Sequence, residues 1–147
     1  MTVDGEREPS DISEGEEESS LVTPEAVARL REWGGDALLG RMIDLLLELA
    51  PQRLQALTEG ERNGDMATVE GTAHSLKSSA GNLGALQLQE AAAQLERAAR
   101  MGDEGRVQHL VSEIQDYWVH TEVALRRVHP GLAGSGSGAE NSGNGEP

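Results

Sequence analysis

The dipeptide Gly-Asp occurs as Gly35-Asp36, Gly64-Asp65 and Gly102-Asp103, and between these points apolar residues recur at steps of three and four. Glycine suits the left-handed position that ends a helix. Aspartate accepts backbone N–H bonds at the start of the next one. Each pair therefore reads as a stop followed by a start. Thr23-Pro24 supplies a further start, with threonine as cap and proline at the first helical position. Ala, Leu, Gln, Glu and Arg dominate about residues 21–129, and no strand-like alternation competes.

This punctuation predicts helices over about 24–33, 36–61, 65–81, 86–101 and 103–128. Pro51 lies inside the second, where a lost backbone bond is expected to kink or split it. Met66, Val69, Ala73, Leu76, Ala80 and Leu83 form one stripe. Leu88, Ala92, Leu95 and Ala99 form another, and Val107, Leu110, Ile114, Tyr117, Thr121, Ala124 and Val128 a third. One stripe per helix, with short connections, predicts an all-α, antiparallel up-down four-helix bundle with an additional short N-terminal helix. Trp33 and Trp118 are expected to anchor the core or a groove.

Charge divides the chain. The formal net charge is −14, and residues 1–20 hold eight acids against one arginine. That segment has too little apolar surface to offset its ordering entropy, so 1–20 is expected to be a disordered acidic tail. The Gly/Ser-rich stretch 130–147 reads as a flexible tail, leaving 21–129 as the bundle. The absence of cysteine excludes disulfides, thiolate metal sites and a cysteine nucleophile. The first residues lack a basic, then apolar, leader, and no apolar run is long enough to span a membrane. An acidic chain without a basic stripe is a poor nucleic-acid or membrane binder. A cytoplasmic monomer is the expectation.

One segment breaks the pattern. AHSLKSSAGNLGA, residues 73–85, places His74 three residues before Lys77, the only lysine beside eleven arginines. At about 100° per residue, His74 lies roughly 130° from the centre of its helix's apolar stripe and should face solvent. Gly71, Ser78 and Gly81 share its face. Two helical glycines each cost about 0.5–1 kcal/mol relative to alanine, but they let another protein's surface approach the imidazole. Lysine serves phosphate as a mobile point charge. No nucleotide-cradling loop is present, since GNLG alone is weak evidence for one. The constellation suits a histidine that takes a phosphoryl group from one protein and gives it to another; the plain alternative is an ordinary surface histidine. Glu96 falls at the edge of its helix's apolar stripe, within reach of the His74 helix, and is equally placed to pair with Arg100 at i,i+4. His109 and His120 share a face but lie roughly 16 Å apart, too far for one metal, and with His129 read as surface residues.

HSLKSSAGNLGA resembles the signature of histidine-containing phosphotransfer (HPt) domains, roughly H-x-L-K-G-x-x-x-x-x-G. His74, Leu76, Lys77, Asn82, Gly84 and Ala85 carry the match, and the likeness extends from about Leu21 to Arg127. Ser78 departs from the pattern, which most often has glycine there. The resemblance implies a phosphorelay intermediate of two-component signalling with no kinase site or cofactor of its own. His74 matches the phosphorylated histidine, Lys77 the basic neighbour, and Glu96 a Glu or Gln bonded to the histidine. Receiver domains and a hybrid sensor kinase would be partners, with Mg²⁺ held by the receiver. Two other readings stay open: a helical adaptor that binds receivers without transfer, and a phosphotransfer domain phosphorylated directly by a chemotaxis-type kinase core. The initiator methionine and acidic tail favour a free-standing protein over the last.

Overall fold

The structure is a computed structural model, and it describes residues 21–128. The expected tails, 1–20 and 130–147, and His129 lie outside the described residues. Four helical spans account for most of the rest: α1 (Pro24–Asn63), α2 (Met66–Asn82), α3 (Leu86–Met101) and α4 (Glu104–Val128). α1 is broken once, at Gly35, where φ is 70° and ψ −169°. The segment before that break is the additional N-terminal helix; the segment after it is the first helix of the bundle. Its angle is braced by Arg31, whose Nε donates to Asp36 Oδ1 at 2.9 Å across the break. Of the two outcomes expected at Pro51, a kink or a split, α1 shows no split, since the backbone stays helical through it. Pro51 itself is exposed, and the backbone N–H it lacks leaves the carbonyl of Leu47, one turn back, without its helical partner.

Gly64 and Gly102 take the left-handed conformation after α1 and α3, with φ of 70° and 73°. Asp65 then accepts from the backbone N–H of Thr68 at 3.1 Å, and Asp103 from that of Arg106 at 3.2 Å. These bonds satisfy backbone donors that a helix start leaves unpaired. With connections of two or three residues, successive helices pack antiparallel. α1 and α3 each pack on both α2 and α4, which closes a four-helix ring.

All members of the predicted α3 stripe are buried, as are Val69, Ala73, Leu76 and Ala80 of α2 and Leu83 just after it. Burying a leucine side chain fully stabilises by about 1.5–3 kcal/mol, and the bundle buries Leu39, Leu57, Leu76, Leu88, Leu95 and Leu125 almost completely. Trp118 is core, but Trp33 is not: it is 70 % exposed just before the Gly35 break, with the Arg29 guanidinium 5.7 Å from its ring centroid. Thr121 is fully buried, and its Oγ1 has no hydrogen-bond partner among the described residues.

The N-terminal segment is tied to the end of the bundle at the α2–α3 turn. Thr23 caps it, accepting from the Ala26 N–H at 3.3 Å, while the Thr23 N–H donates to Gly84 O at 3.0 Å. Gly84 has a φ of 70°, and a Cβ there would stand 2.6 Å from Ala26 Cβ. The last glycine of the histidine motif is therefore required by backbone conformation and by close packing at once.

Candidate functional site

α2 and α3 form the most extensive helix pair. Both present alanine to the core, Ala73 and Ala80 from α2 and Ala91, Ala92, Ala98 and Ala99 from α3, and such short side chains permit close approach. Across this seam His74 meets Glu96. The His74 side chain is 62 % exposed, and its Nδ1 lies 2.9 Å from Glu96 Oε2. Glu96 as a whole residue is only 8 % exposed. A carboxylate can only accept, so Nδ1 carries the proton and donates. The tautomer is thereby set, and the Nε2 lone pair belongs to the other ring edge.

Glu96 has two further donors. Lys77 Nζ donates to Oε1 at 2.7 Å, and Arg100 Nη2 donates to Oε2 at 3.2 Å. The guanidinium is held from behind, since Arg100 Nε donates to Glu70 Oε2 at 2.9 Å. Foremost the Lys77 ammonium, and then His74, hold the Glu96 carboxyl below its ordinary 4.5, against the opposing effect of burial. The Glu70 contact chiefly raises the Arg100 pKa.

The residues singled out from sequence thus fall in two groups. His74, Lys77 and Glu96 are within one hydrogen-bonded cluster. The lysine rests on Glu96 rather than standing free beside the imidazole. Both options read for Glu96, reaching the histidine and pairing with Arg100, are realised together. Gly71 and Ser78 are exposed, and a Cβ at Gly71 would meet nothing within 4 Å. Gly81 is half-buried and faces the Gln89 side chain of α3, whose Nε2 would stand 2.7 Å from an added Cβ.

Two features escaped the sequence reading. Glu70 completes the charge network by holding Arg100 from behind; the spacing of Glu70, His74 and Lys77 at i, i+4 and i+7 puts them on one helix face and could have pointed to it. On the other side of α2, Met42, Leu45 and Leu49 of α1 line a shallow groove with Ser79 and Asn82. Leu45 is 48 % exposed, and Arg53 of α1 donates from Nε to Ser75 Oγ at 3.1 Å. His109 and His120 are exposed on α4, and His109 lies 3.8 Å from Glu113. Among the described residues no three His, Cys, Asp or Glu side chains group as a metal site. No described helix is long and apolar enough to cross a membrane.

A kinked first helix closing a four-helix ring, with an exposed, carboxylate-oriented histidine in mid-helix, defines a helical bundle of the phosphotransfer type. The family model for the Hpt domain matches residues 41–124, which is more than half of the chain, and the chain belongs to that family. The family is one of phosphotransfer carriers in two-component signalling. The fold also resembles the crystal structure of histidine-containing phosphotransfer protein B from Pseudomonas aeruginosa PAO1. That likeness has a TM-score of 0.71 at 24 % identity, over 75 % of this chain and 95 % of the other. No curated protein matched the chain by sequence.

Proposed function

We propose that His74 is the phosphoryl acceptor of a phosphorelay intermediate, loaded from the aspartyl phosphate of one receiver domain and unloaded onto another. The observation that carries this reading is an exposed imidazole whose Nδ1–H is engaged by the nearly buried carboxylate of Glu96. Such a ring offers its Nε2 electron pair outward in a fixed orientation. Attack on the phosphorus places positive charge on the imidazole, and Glu96 stabilises it, as a carboxylate behind a catalytic histidine does. Lys77 supplies a cation for the phosphoryl oxygens. Gly71 and Ser78 leave room for the receiver above the ring, and the groove lined by Met42, Leu45 and Leu49 extends the docking surface on the α1 side. Gly81 contributes at its α3 edge. The receiver, acting in the cytoplasm with this chain, would hold the Mg²⁺ and most of the stabilisation of the transferring group. The chain is a reaction partner rather than an enzyme.

Incubation with receiver domains carrying labelled aspartyl phosphate tests this directly. The expected product is a labelled chain whose phosphate is labile in acid and stable in base. A chain that stays unlabelled while binding those receivers would overturn transfer and favour the adaptor reading.

A further inference from the structure

Glu96 is the buried carboxylate at the centre of four charged side chains. Glu70 and Glu96 face Lys77 and Arg100, so the cluster is balanced while the imidazole is neutral. Phosphoryl transfer upsets that balance in a defined way. The Nε2 lone pair forms the N–P bond; the P–O bond to the receiver's aspartate breaks, and its electron pair leaves on the carboxylate oxygen. Nδ1 keeps its proton. The ring now carries a positive charge against Glu96 Oε2 and a dianionic phosphoryl group beyond Nε2.

Two consequences follow from the distances. The new ring cation shares with Lys77 a carboxylate that Lys77 had neutralised at 2.7 Å, so the hold on the ammonium weakens. The phosphoryl dianion attracts that same ammonium from the outer side of the ring. The Lys77 side chain is 31 % exposed, so a path to the surface is open to it. Arg100 is differently held. Its Nε is bonded to Glu70 and its Nη2 to Glu96, and a planar fork can keep both bonds while the lysine leaves.

We propose that Lys77 is a two-position cation, seated on Glu96 while His74 is unmodified and moved to the phosphoryl oxygens once the ring is charged, and that Arg100, anchored by Glu70, is the positioning residue that keeps Glu96 on the imidazole during the exchange. This rests on the reading of His74 as the acceptor. Arg100 touches no reacting atom and acts through Glu96.

Because the chain holds one lysine, ¹⁵N-lysine labelling gives a single side-chain Nζ signal. The full chain is phosphorylated with phosphoramidate, a small donor that needs no receiver. The Nζ signal is expected to shift when His74 is phosphorylated. Arg100→Gln should slow phosphorylation about three- to fivefold, the upper end of what one partly exposed charge contact is worth when expressed in a rate, with melting unchanged. Arg100→Lys should recover part of it. In a Glu96→Gln background, Arg100→Gln should add less than about twofold, since nothing is left for it to position. A fully labelled His74 with an unmoved Nζ signal would overturn this inference alone. So would an Arg100→Gln effect as large without Glu96 as with it. A wild-type chain that takes no label at His74 would overturn the phosphotransfer reading beneath it as well.

Discussion

Replacing Glu96 with glutamine keeps the side chain's shape and removes one charge from a residue that is 8 % exposed. An amide has one accepting oxygen and one donating NH₂, whereas the carboxylate receives His74, Lys77 and Arg100 on two accepting oxygens. If the amide oxygen turns to Lys77, the NH₂ faces Nδ1, which must then accept, and the ring proton moves to Nε2, where the attacking pair is needed. If the oxygen turns to His74, the NH₂ meets the lysine ammonium. A hydrogen bond to a charged group contributes about 1.5–3 kcal/mol. Lys77 can recover water, so the loss in folding stability should fall near the lower end of that range. Among the described residues Glu96 is the carboxylate bonded to the His74 ring, so the ring cation formed on transfer has no substitute for it and the loss in rate should be fuller, about ten- to a hundredfold. The pH dependence has a matching sign. The native Glu96 pKa lies below its ordinary 4.5, so its contribution to stability is present above that value and is lost as pH falls through the lower native pKa. Wild type should therefore lead the variant at neutral pH and lose that lead in acid. Single-turnover transfer from a phosphorylated receiver, with ¹⁵N-histidine spectra to assign the tautomer, measures both effects. A rate within twofold of wild type with Nδ1 still protonated would refute the reasoning.

Three further outcomes are expected. Ser78→Tyr, one turn beyond His74 and exposed, should weaken receiver binding on titration without lowering the melting temperature; equal affinity would place docking elsewhere. Gly84→Ala should destabilise by about 1–3 kcal/mol for its left-handed backbone alone, and more as the added Cβ displaces Ala26; an unchanged thermal midpoint would contradict the packing at this turn. Thr121→Val exchanges an unpartnered buried hydroxyl for a methyl and should stabilise by about 1–2 kcal/mol in urea unfolding; destabilisation would show that the hydroxyl has a partner.

What could be read from the sequence was what one helix determines by itself. The pairs Gly64-Asp65 and Gly102-Asp103 marked real boundaries because a left-handed stop and a side-chain cap are local devices, whereas Gly35 breaks α1 with an extended ψ and Asp36 bonds to Arg31 instead of capping. The α3 stripe went into the core as drawn, and the α2 stripe did so apart from the half-buried Met66. The outward aim of His74 followed from the same wheel. Whether Pro51 would split its helix was not legible, because the cost of a helical proline is weighed against the packing of the helix on both sides of it, and that packing is tertiary. Trp33 misled because a large apolar ring suggests burial, while its place beside the Gly35 break carries it off the bundle. The seating of Lys77 on Glu96 and the role of Arg100 depend on the register between α2 and α3. Within each helix the i,i+4 neighbours were legible; the offset that brings two helices' neighbours to one carboxylate was not.

The central claim is that His74, and not another histidine, carries the phosphoryl group. It is tested most directly by transfer from a phosphorylated receiver to wild type and to His74→Gln, with the labelled position mapped in each. Because the side chain is 62 % exposed, the variant should fold and melt like wild type. The account predicts label on His74 in wild type and none in the variant. Label on His74→Gln at His109, His120 or His129, at the wild-type rate, would contradict it.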